Sequence, residues 1–419
     1  MPPMGRGRPR GRFGPLLASI LALAALVAAV VPGAATAATP AWDWTSPRLV
    51  SPARDSRLTA LHELASDGKR LHLVHAQIGP APRDDQVVYQ RSTDGGASWT
   101  AGRVLFAATD ADRYVTPNLA VAASGDRVVV AWRVAGPGRT SLFVRRSADG
   151  GATWRPAERV ASTTRKRGLG VPALAIGGRT VLLAWTDRTD GRLLLRRSTD
   201  GGATWAAARR MATGSLSIEC GKRVLDALPG LAVSGERVHL AWSDAPKGAC
   251  LAATLRIRSS ADGGRTWTDA RTASTTRTYG WPELAARGKR LLATLQRPDG
   301  SIVIVRSTDA GRTFHERRIA PLAKHALGAA DVLLPGGHAA WLVWSDLAYD
   351  GSKVGASRIR FAVSKDDGRT WARPITIVPF ARRLREAANL AAAGTRPVVV
   401  YQSGARDGST ADITLVRAR

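Results

Sequence analysis

Three acidic residues, Glu63, Glu283 and Asp331, occupy the same position in a repeated sequence pattern, just before or at the start of a short apolar run. Carboxyl groups brought together can divide acid–base and nucleophilic work when their surroundings separate their pKa values. We therefore treat these three residues as candidate catalytic groups. The alternative is that they only line a solvated channel, since the same position elsewhere holds Asn118, Ala173, Gly230 and Asn389.

Aromatic and basic residues concentrate in the segments whose length varies between repeats. Tyr114, Tyr279 and Tyr349 are three of the five tyrosines, and Trp281 precedes a proline and could stack on a sugar ring. Guanidinium groups bind carboxylates through two parallel hydrogen bonds. The candidate ligand-binding arginines in these segments are Arg113, Arg277 and Arg383.

The composition limits the class of protein. The chain has 419 residues, 44% of them hydrophobic, and a formal net charge of +28. This apolar content excludes a mostly disordered chain, and a single long apolar run excludes a multi-span membrane protein. Two cysteines exclude a disulfide-rich scaffold and a four-cysteine zinc site.

The N-terminus predicts export. A basic segment (5–12), an apolar run (14–31) and the small residues 35–37 describe a secretory signal over residues 1–37, with cleavage after Ala37. An uncleaved membrane anchor is the alternative. After cleavage we expect no membrane span, a secreted or wall-associated protein and one domain over residues 38–419.

The rest of the chain repeats. Six octamers share the pattern S-x-D-x-G-x-[ST]-[WF], with aspartates 47 to 62 residues apart. These aspartates are Asp94, Asp149, Asp200, Asp262, Asp309 and Asp366. Seven segments with a glycine turn between two apolar runs alternate with the octamers and predict hairpins.

Four short antiparallel strands in each unit of about 50 residues predict propeller blades. The last unit, which ends with 413–418, lacks a fourth strand, and residues 42–51 resemble an isolated one. Joining the two predicts an all-β, seven-bladed propeller closed by the N-terminal strand, with a six-bladed ring as the alternative. The octamer turns and glycine hairpins then share one end, the box face, and the variable loops share the other, the variable-loop face.

The octamer resembles the Asp-box, or bacterial neuraminidase repeat, of the sialidase-like superfamily of β-propellers. Its Asp and Ser can accept turn N–H groups, its Gly allows positive φ and its Trp packs between units, so we expect the six aspartates to be structural. Because Asp-boxes also occur in non-enzymatic proteins, the resemblance implies the fold strongly and an activity only weakly.

A sialidase resemblance implies three arginines around a substrate carboxylate, a tyrosine nucleophile with a glutamate, and an aspartic acid. Tyr279 joins Glu63, Glu283 and Asp331 as a candidate on this ground. The chain departs from the sialidase pattern because 46–53 lacks the aromatic-Arg-Ile-Pro signature, and seven blades differ from six. An exo-acting glycoside hydrolase of sialidase type is therefore the alternative to a carbohydrate-binding protein.

The remaining expectations concern partners. In an oxidising compartment Cys220 and Cys250 are expected to form a disulfide, with two free thiols as the alternative. The basic charge favours a carbohydrate or an anionic extracellular polymer as partner, although codon bias could equally explain it. The charge would allow nucleic-acid binding, but export argues against that role, so we expect no nucleic-acid partner. We also expect no metal and no cofactor, because no motif for them is present. A closed propeller needs no second copy to fold, so we expect a monomer.

Overall fold

The computed structural model describes residues 42–419 except for a set of short segments, and it describes only the backbone at a few further strand positions. The segments outside the described residues are 53–57, 82–83, 109–113, 165–167, 215–216, 221–222, 227, 246–252, 279–281, 320–324, 351–352, 382–383 and 405–410. The described residues form strands and turns without an α-helix. None of them belongs to a helix long and apolar enough to cross a membrane.

The strands form seven four-stranded antiparallel sheets, each running from an innermost to an outermost strand. The chain begins with β1 (Arg48–Ser51). Blade 1 contains β2 (Leu58–Ser66), β3 (Leu71–Ile78), β4 (Gln86–Ser92) and β5 (Arg103–Ala107). Blade 2 contains β6 (Tyr114–Ser124), β7 (Arg127–Gly136), β8 (Arg139–Ser147) and β9 (Glu158–Thr163). Blade 3 contains β10 (Ala173–Gly177), β11 (Thr180–Asp187), β12 (Arg192–Ser198) and β13 (Arg209–Thr213).

The second half of the ring repeats the same order. A small hairpin of β14 (Ser217–Cys220) and β15 (Arg223–Asp226) precedes blade 4. Blade 4 contains β16 (Gly230–Ser234), β17 (Arg237–Asp244), β18 (Ala253–Ser260) and β19 (Arg271–Thr278). Blade 5 contains β20 (Glu283–Arg287), β21 (Arg290–Gln296), β22 (Ile302–Ser307) and β23 (His315–Ile319). Blade 6 contains β24 (His325–Leu333), β25 (Ala340–Asp350), β26 (Lys353–Ser364) and β27 (Ile375–Ala381). Blade 7 contains β28 (Leu384–Ala393), β29 (Arg396–Gly404), β30 (Ala411–Arg417) and β1.

The ring closes as the sequence predicts. Strand β1 is the outermost strand of blade 7, where Arg48 pairs with Leu415 of β30, and a bridge between Trp44 and Ala418 extends the contact. The seven-bladed propeller is therefore confirmed, and the six-bladed alternative is wrong. Closure leaves no blade without its fourth strand, which protects the sheet edges.

The second strand of each blade is apolar because both of its faces are buried. In β7, Val128, Val130 and Trp132 pack toward blade 1, whereas Val129 and Ala131 pack toward blade 3. Alternating side chains of one strand point to opposite faces of its sheet. Seven such apolar clusters, one between each pair of adjacent blades, make up the core.

Each octamer folds into a turn closed by its own side chains. In the second box, Ser147 Oγ donates to Asp149 Oδ1 at 2.7 Å and accepts the N–H of Gly151 at 2.8 Å. Asp149 also accepts the backbone N–H and the hydroxyl of Thr153. The Thr153 hydroxyl first, and then its N–H, hold the pKa of Asp149 well below its usual range. The other five boxes repeat these bonds.

A second repeated contact, which the sequence analysis missed, joins five of the six boxes to the outermost strand of the preceding blade. An arginine at the start of an outermost strand donates from Nη1 to the carbonyl of the residue three after the next box's aspartate. The donor and acceptor pairs are Arg48 with Ala97, Arg103 with Ala152, Arg209 with Arg265, Arg271 with Arg312, and Arg317 with Arg369. Glu158 and Ile375 hold this strand position in blades 2 and 6.

Candidate functional site

The predicted carboxylates line the central channel. The innermost strands β2, β6, β10, β16, β20, β24 and β28 each contact the next around the axis, and β28 contacts β2. Glu63 lies in β2, Glu283 begins β20 and Asp331 lies in β24. We call these three residues the carboxylate ring. They are close enough to influence one another's ionisation, as their shared electrostatic interaction shows.

The channel environment favours the protonated form of each acid. Removal from bulk water raises the pKa of Glu63 to about 8, and the charge of Asp331 adds to this. The pKa of Glu283 also rises well above its usual value, from the same removal and from the charges of Glu63 and Asp331. The Glu283 side chain is exposed to channel water, which moderates the effect. Carboxylic acids with raised pKa values can donate a proton near neutral pH.

Two backbone N–H groups hold the Asp331 side chain in place. Its Oδ1 accepts the N–H of Val332 and its Oδ2 accepts the N–H of Leu390 in the next blade, both at 2.7 Å. Removal from bulk water raises the pKa of Asp331 to about 6, although these two N–H groups oppose the rise. Within the described residues, no group of three or more His, Cys, Asp or Glu side chains could hold a metal ion.

The carboxylate ring lies deeper than the sequence pattern predicts. The pattern places these residues at the beginning of the innermost strand, which holds for Glu283 but is wrong for Glu63 and Asp331. Four neighbouring innermost strands, β24, β28, β2 and β6, start four or more residues before the aligned position of the carboxylates. Each of them contains a bulge between its start and that position. Segments that the sequence assigns to loops therefore extend one side of the channel wall with paired strands.

Within the described residues, no hydrogen bond or ion pair joins a predicted binding residue to the carboxylate ring. Arg277 is exposed on β19. Tyr114 lies in β6 and Tyr349 in β25, where only the backbone is described. The remaining candidates, Arg113, Tyr279, Trp281 and Arg383, lie outside the described residues.

The long segment between blades 3 and 4 departs from its prediction as a loop. Residues Ser217–Cys220 and Arg223–Asp226 pair as a hairpin, from Ser217 opposite Asp226 to Cys220 opposite Arg223. Cys220 therefore ends a strand, and Cys250 lies outside the described residues. The disulfide between them stays a prediction.

A buried carboxylate at the variable-loop face organises a cluster that the sequence analysis missed. Asp346, with a side chain only 3% exposed, accepts Arg358 Nη2 at 2.6 Å and Nε at 2.8 Å. The Nδ1 atom of His325 lies 2.6 Å from the other oxygen, Oδ1. Arg360 is a weaker partner at 3.6 Å. Through its two oxygens, the Asp346 carboxylate fixes the orientation of both the Arg358 guanidinium and the His325 imidazole.

Phe380 covers this cluster and faces solvent. It is 43% exposed, with the Arg358 guanidinium 4.3 Å from its ring centroid and the His325 ring in edge contact at 5.8 Å. In the described part of the chain, the Nε2 atom of His325 makes no hydrogen bond. We call Phe380, His325, Asp346 and Arg358 the Phe380 patch. An exposed ring beside fixed polar groups can stack on a sugar and bond its hydroxyls.

A sequence signal for this cluster exists, but it is ambiguous. The motif W-[ST]-D lies in the second strand of blades 3, 4 and 6; it ends the strand at Asp187 and Asp244, whereas β25 continues four residues beyond Asp346. Arginines lie directly opposite Asp187 and Asp346 on the third strand, but Asp244 faces Thr254. Arg192 pairs with Asp190 rather than with Asp187, whereas Arg358 pairs with Asp346. Strand register and side-chain geometry together therefore decide which aspartate is paired, and neither was available from sequence.

The comparisons with known proteins agree with the fold. The chain matches the BNR repeat-like domain family over residues 35–217 and 158–381. Among curated proteins, none matches the chain significantly.

Solved structures with a similar fold differ widely in what their titles describe. YCF48 bound to D1 peptide is 13% identical with a TM-score of 0.50, over 92% of this chain and 99% of that one. Phage phi92 endosialidase is 9% identical with a TM-score of 0.55, over 90% and 69%. A protein of unknown function from Dyadobacter fermentans is 16% identical with a TM-score of 0.53, over 91% and 100%. At these identities the likeness shows the fold alone.

Proposed function

The chain belongs to the BNR repeat-like domain family. We propose that this sialidase-like propeller binds a carbohydrate or an anionic polymer without catalysis. The ligand docks on the variable-loop face. The single observation that carries this proposal is Phe380, an exposed aromatic ring seated on an arginine that a buried aspartate holds in place. Function often resides on such segments above a rigid scaffold.

The geometry of the Phe380 patch suits a sugar. The apolar face of a pyranose stacks on an aromatic ring, while hydroxyls bond to imidazole and guanidinium nitrogen atoms. Because Asp346 already orders Arg358 and His325, binding loses little side-chain entropy. YCF48, a propeller of similar length described bound to a peptide, offers a precedent for ligand binding on this architecture.

The proposed location is outside the cell. The basic and apolar N-terminal segment that motivates this lies outside the described residues, so the placement rests on its sequence. An excess of basic residues would draw anionic polymers of the extracellular space to the protein surface.

A glycan array with neutral and acidic sugars tests the binding proposal. The purified protein should retain a defined set of glycans, and Phe380→Ala should weaken that binding roughly tenfold or more. Val104→Ala is the matched control, because Val104 is a similarly exposed apolar residue, 44% exposed, on β5. Equal binding by Phe380→Ala and the wild-type protein would remove the Phe380 patch from the binding site.

The second candidate is an exo-acting glycoside hydrolase of sialidase type. The grouping of Glu63, Glu283 and Asp331 with raised pKa values favours it, because such hydrolases use a protonated carboxyl group. The equivalent positions of the innermost strands hold no arginine, so none of them supplies a cation for a substrate carboxylate.

Release of a fluorogenic leaving group from an α-sialoside separates the two candidates. We expect no turnover above background from the folded protein. Turnover that Glu283→Gln abolishes, with folding shown by circular dichroism, would establish the hydrolase and place its site in the channel.

A further inference from the structure

The seam between blades 3 and 4 opens into a groove of about 410 Å³. Strand β13 contributes Arg210 to its lining, β17 contributes Asp244 and β18 contributes Arg256 and Arg258. We call these four residues the arginine groove. Three guanidinium groups and one carboxylate leave the groove with a net positive charge.

Two of the groove arginines, Arg256 and Arg258, have a buried guanidinium nitrogen without an acceptor. Within the described residues, Arg258 makes no hydrogen bond or ion pair, and its Nε atom is buried. Arg256 donates to Thr272 Oγ1 at 2.6 Å and to the Ala270 carbonyl at 3.3 Å, but its buried Nε is also without an acceptor. A buried donor without a partner costs stability, so the fold leaves the hydrogen-bonding capacity of these two guanidinium groups incompletely used.

The equivalent seam position in blade 6 shows what blade 4 lacks. In blade 6, Asp346 lies opposite Arg358 and binds it tightly. In blade 4 the same register places Thr254 opposite Asp244, and Asp244 forms no ion pair in the described part of the chain. Asp346 therefore neutralises an arginine in blade 6, whereas Asp244 neutralises neither Arg256 nor Arg258 in blade 4.

Arginines at another seam find protein acceptors. Arg145 of β8 donates from Nε to the Arg155 carbonyl and from Nη1 to the Leu105 carbonyl of blade 1. The arginine groove differs from that seam because Arg258 has no acceptor in the described part of the chain, although it lines an open groove.

We propose that the arginine groove binds a phosphorylated or sulfated sugar unit. Two or three guanidinium groups are the preferred protein partners of a tetrahedral oxyanion, which they bind through several charge-assisted hydrogen bonds. A volume of about 410 Å³ exceeds the needs of an isolated anion and suits a small organic ligand. Asp244 adds an acceptor for a sugar hydroxyl. The groove lies on other blades than the Phe380 patch, so the two binding proposals can be tested independently.

Calorimetric titration of the full chain with glucose 6-phosphate, glucose 6-sulfate, inorganic phosphate and glucose tests the proposal. We expect at least one of the two esters to bind, glucose not to bind, and inorganic phosphate to bind more weakly than glucose 6-phosphate. The two esters distinguish a phosphate from a sulfate ligand. Asp244→Asn should reduce the advantage of the sugar ester over inorganic phosphate.

The decisive variant is Arg258→Gln, which removes an unpartnered charge and should leave folding intact. It should weaken ester binding roughly tenfold or more, as expected for the loss of charge-assisted hydrogen bonds. The control outside the groove is Arg159→Gln, which removes the same charge at the position of blade 2 that Arg210 holds in blade 3. The control should stay within about twofold of wild type. Equal weakening by both variants, or no binding of either ester by the wild-type protein at millimolar concentration, overturns the proposal.

Discussion

Asp149 at the box face and Glu63 in the channel are both acidic residues of a repeated position, yet their surroundings act in opposite directions. Asp149 accepts hydrogen bonds from Ser147 and Thr153, which favour its charged form. Glu63 loses bulk water and faces the charge of Asp331, which favours its neutral form. One end of the propeller uses its carboxylates to hold the fold, whereas the other keeps carboxylates at an energetic cost. Such costs concentrate where a protein binds or reacts.

The largest expected effect is at the box face, where Gly151 permits no side chain. Its φ is +82°, and a Cβ atom would lie 1.8 Å from the hydroxyl of buried Tyr89. Gly151→Ala should therefore lower the free energy of unfolding by about 3 kcal/mol or more, from the steric clash and the strained backbone. Urea denaturation measures this loss.

The control for that variant separates the clash from the backbone strain. Gly125 has a φ of +55° at a hairpin turn, and a Cβ atom there would meet nothing within 4 Å. Gly125→Ala should cost only about 1 kcal/mol. Similar losses for both variants would contradict a packed box interface.

The second prediction concerns the channel and its pH dependence. The pKa of Glu63 is about 8 in the fold and near its usual value in the unfolded chain. The unfolded state therefore releases this proton first, and the free energy of unfolding falls as pH rises from about 4 to about 8. Glu63→Gln removes this fall, so the variant should be more stable than wild type by about 2 kcal/mol at pH 8 and close to wild type at pH 4.

Denaturation curves at the two pH values measure the difference. Glu236→Gln removes the same charge at an exposed hairpin turn and should show no such gain. A Glu63→Gln protein that is less stable than wild type at pH 8 would show that the ring carboxylates support the fold.

The third prediction concerns the box face, where the change of stability with pH has the opposite sign. Because the folded pKa of Asp149 is depressed, its contribution to stability is present above the unfolded pKa near 4 and is lost as pH falls through the folded pKa. Asp149→Asn should therefore lower the melting temperature at pH 7, and the difference from wild type should shrink steadily below about pH 4. A difference that is constant between pH 7 and pH 2 would contradict the role of the charge.

The smallest expected effect is at the arginines that join neighbouring boxes. Arg271 is exposed and donates to the Arg312 carbonyl at 2.9 Å. Arg271→Gln should lower the free energy of unfolding by roughly 0.5 kcal/mol. Glu158→Arg places the missing donor in blade 2 and should raise the free energy of unfolding by a similar amount. Opposite signs for the two variants support the contact, and equal signs contradict it.

Much of the fold could be predicted from sequence because its signals are local and repeated. The octamers fix each turn between the third and fourth strands, and the incomplete last unit indicates where β1 must pair. The β14–β15 hairpin and the early starts of β24, β28, β2 and β6 could not be predicted, since bulges and segment pairing depend on the neighbouring blades.

The candidate site could be predicted only in part. The aligned position of Glu63, Glu283 and Asp331 was enough to place them around one axis. The Phe380 patch escaped notice because His325, Asp346, Arg358 and Phe380 come from four strands of one blade, and only their register brings them together.

Hydrogen–deuterium exchange with the best-binding glycan of the array tests the central claim most directly. The account predicts protection in β24 to β27, where the Phe380 patch lies, and unchanged exchange in the six box turns. Protection at the box turns, with unchanged exchange around Phe380, would contradict the assignment of binding to the variable-loop face.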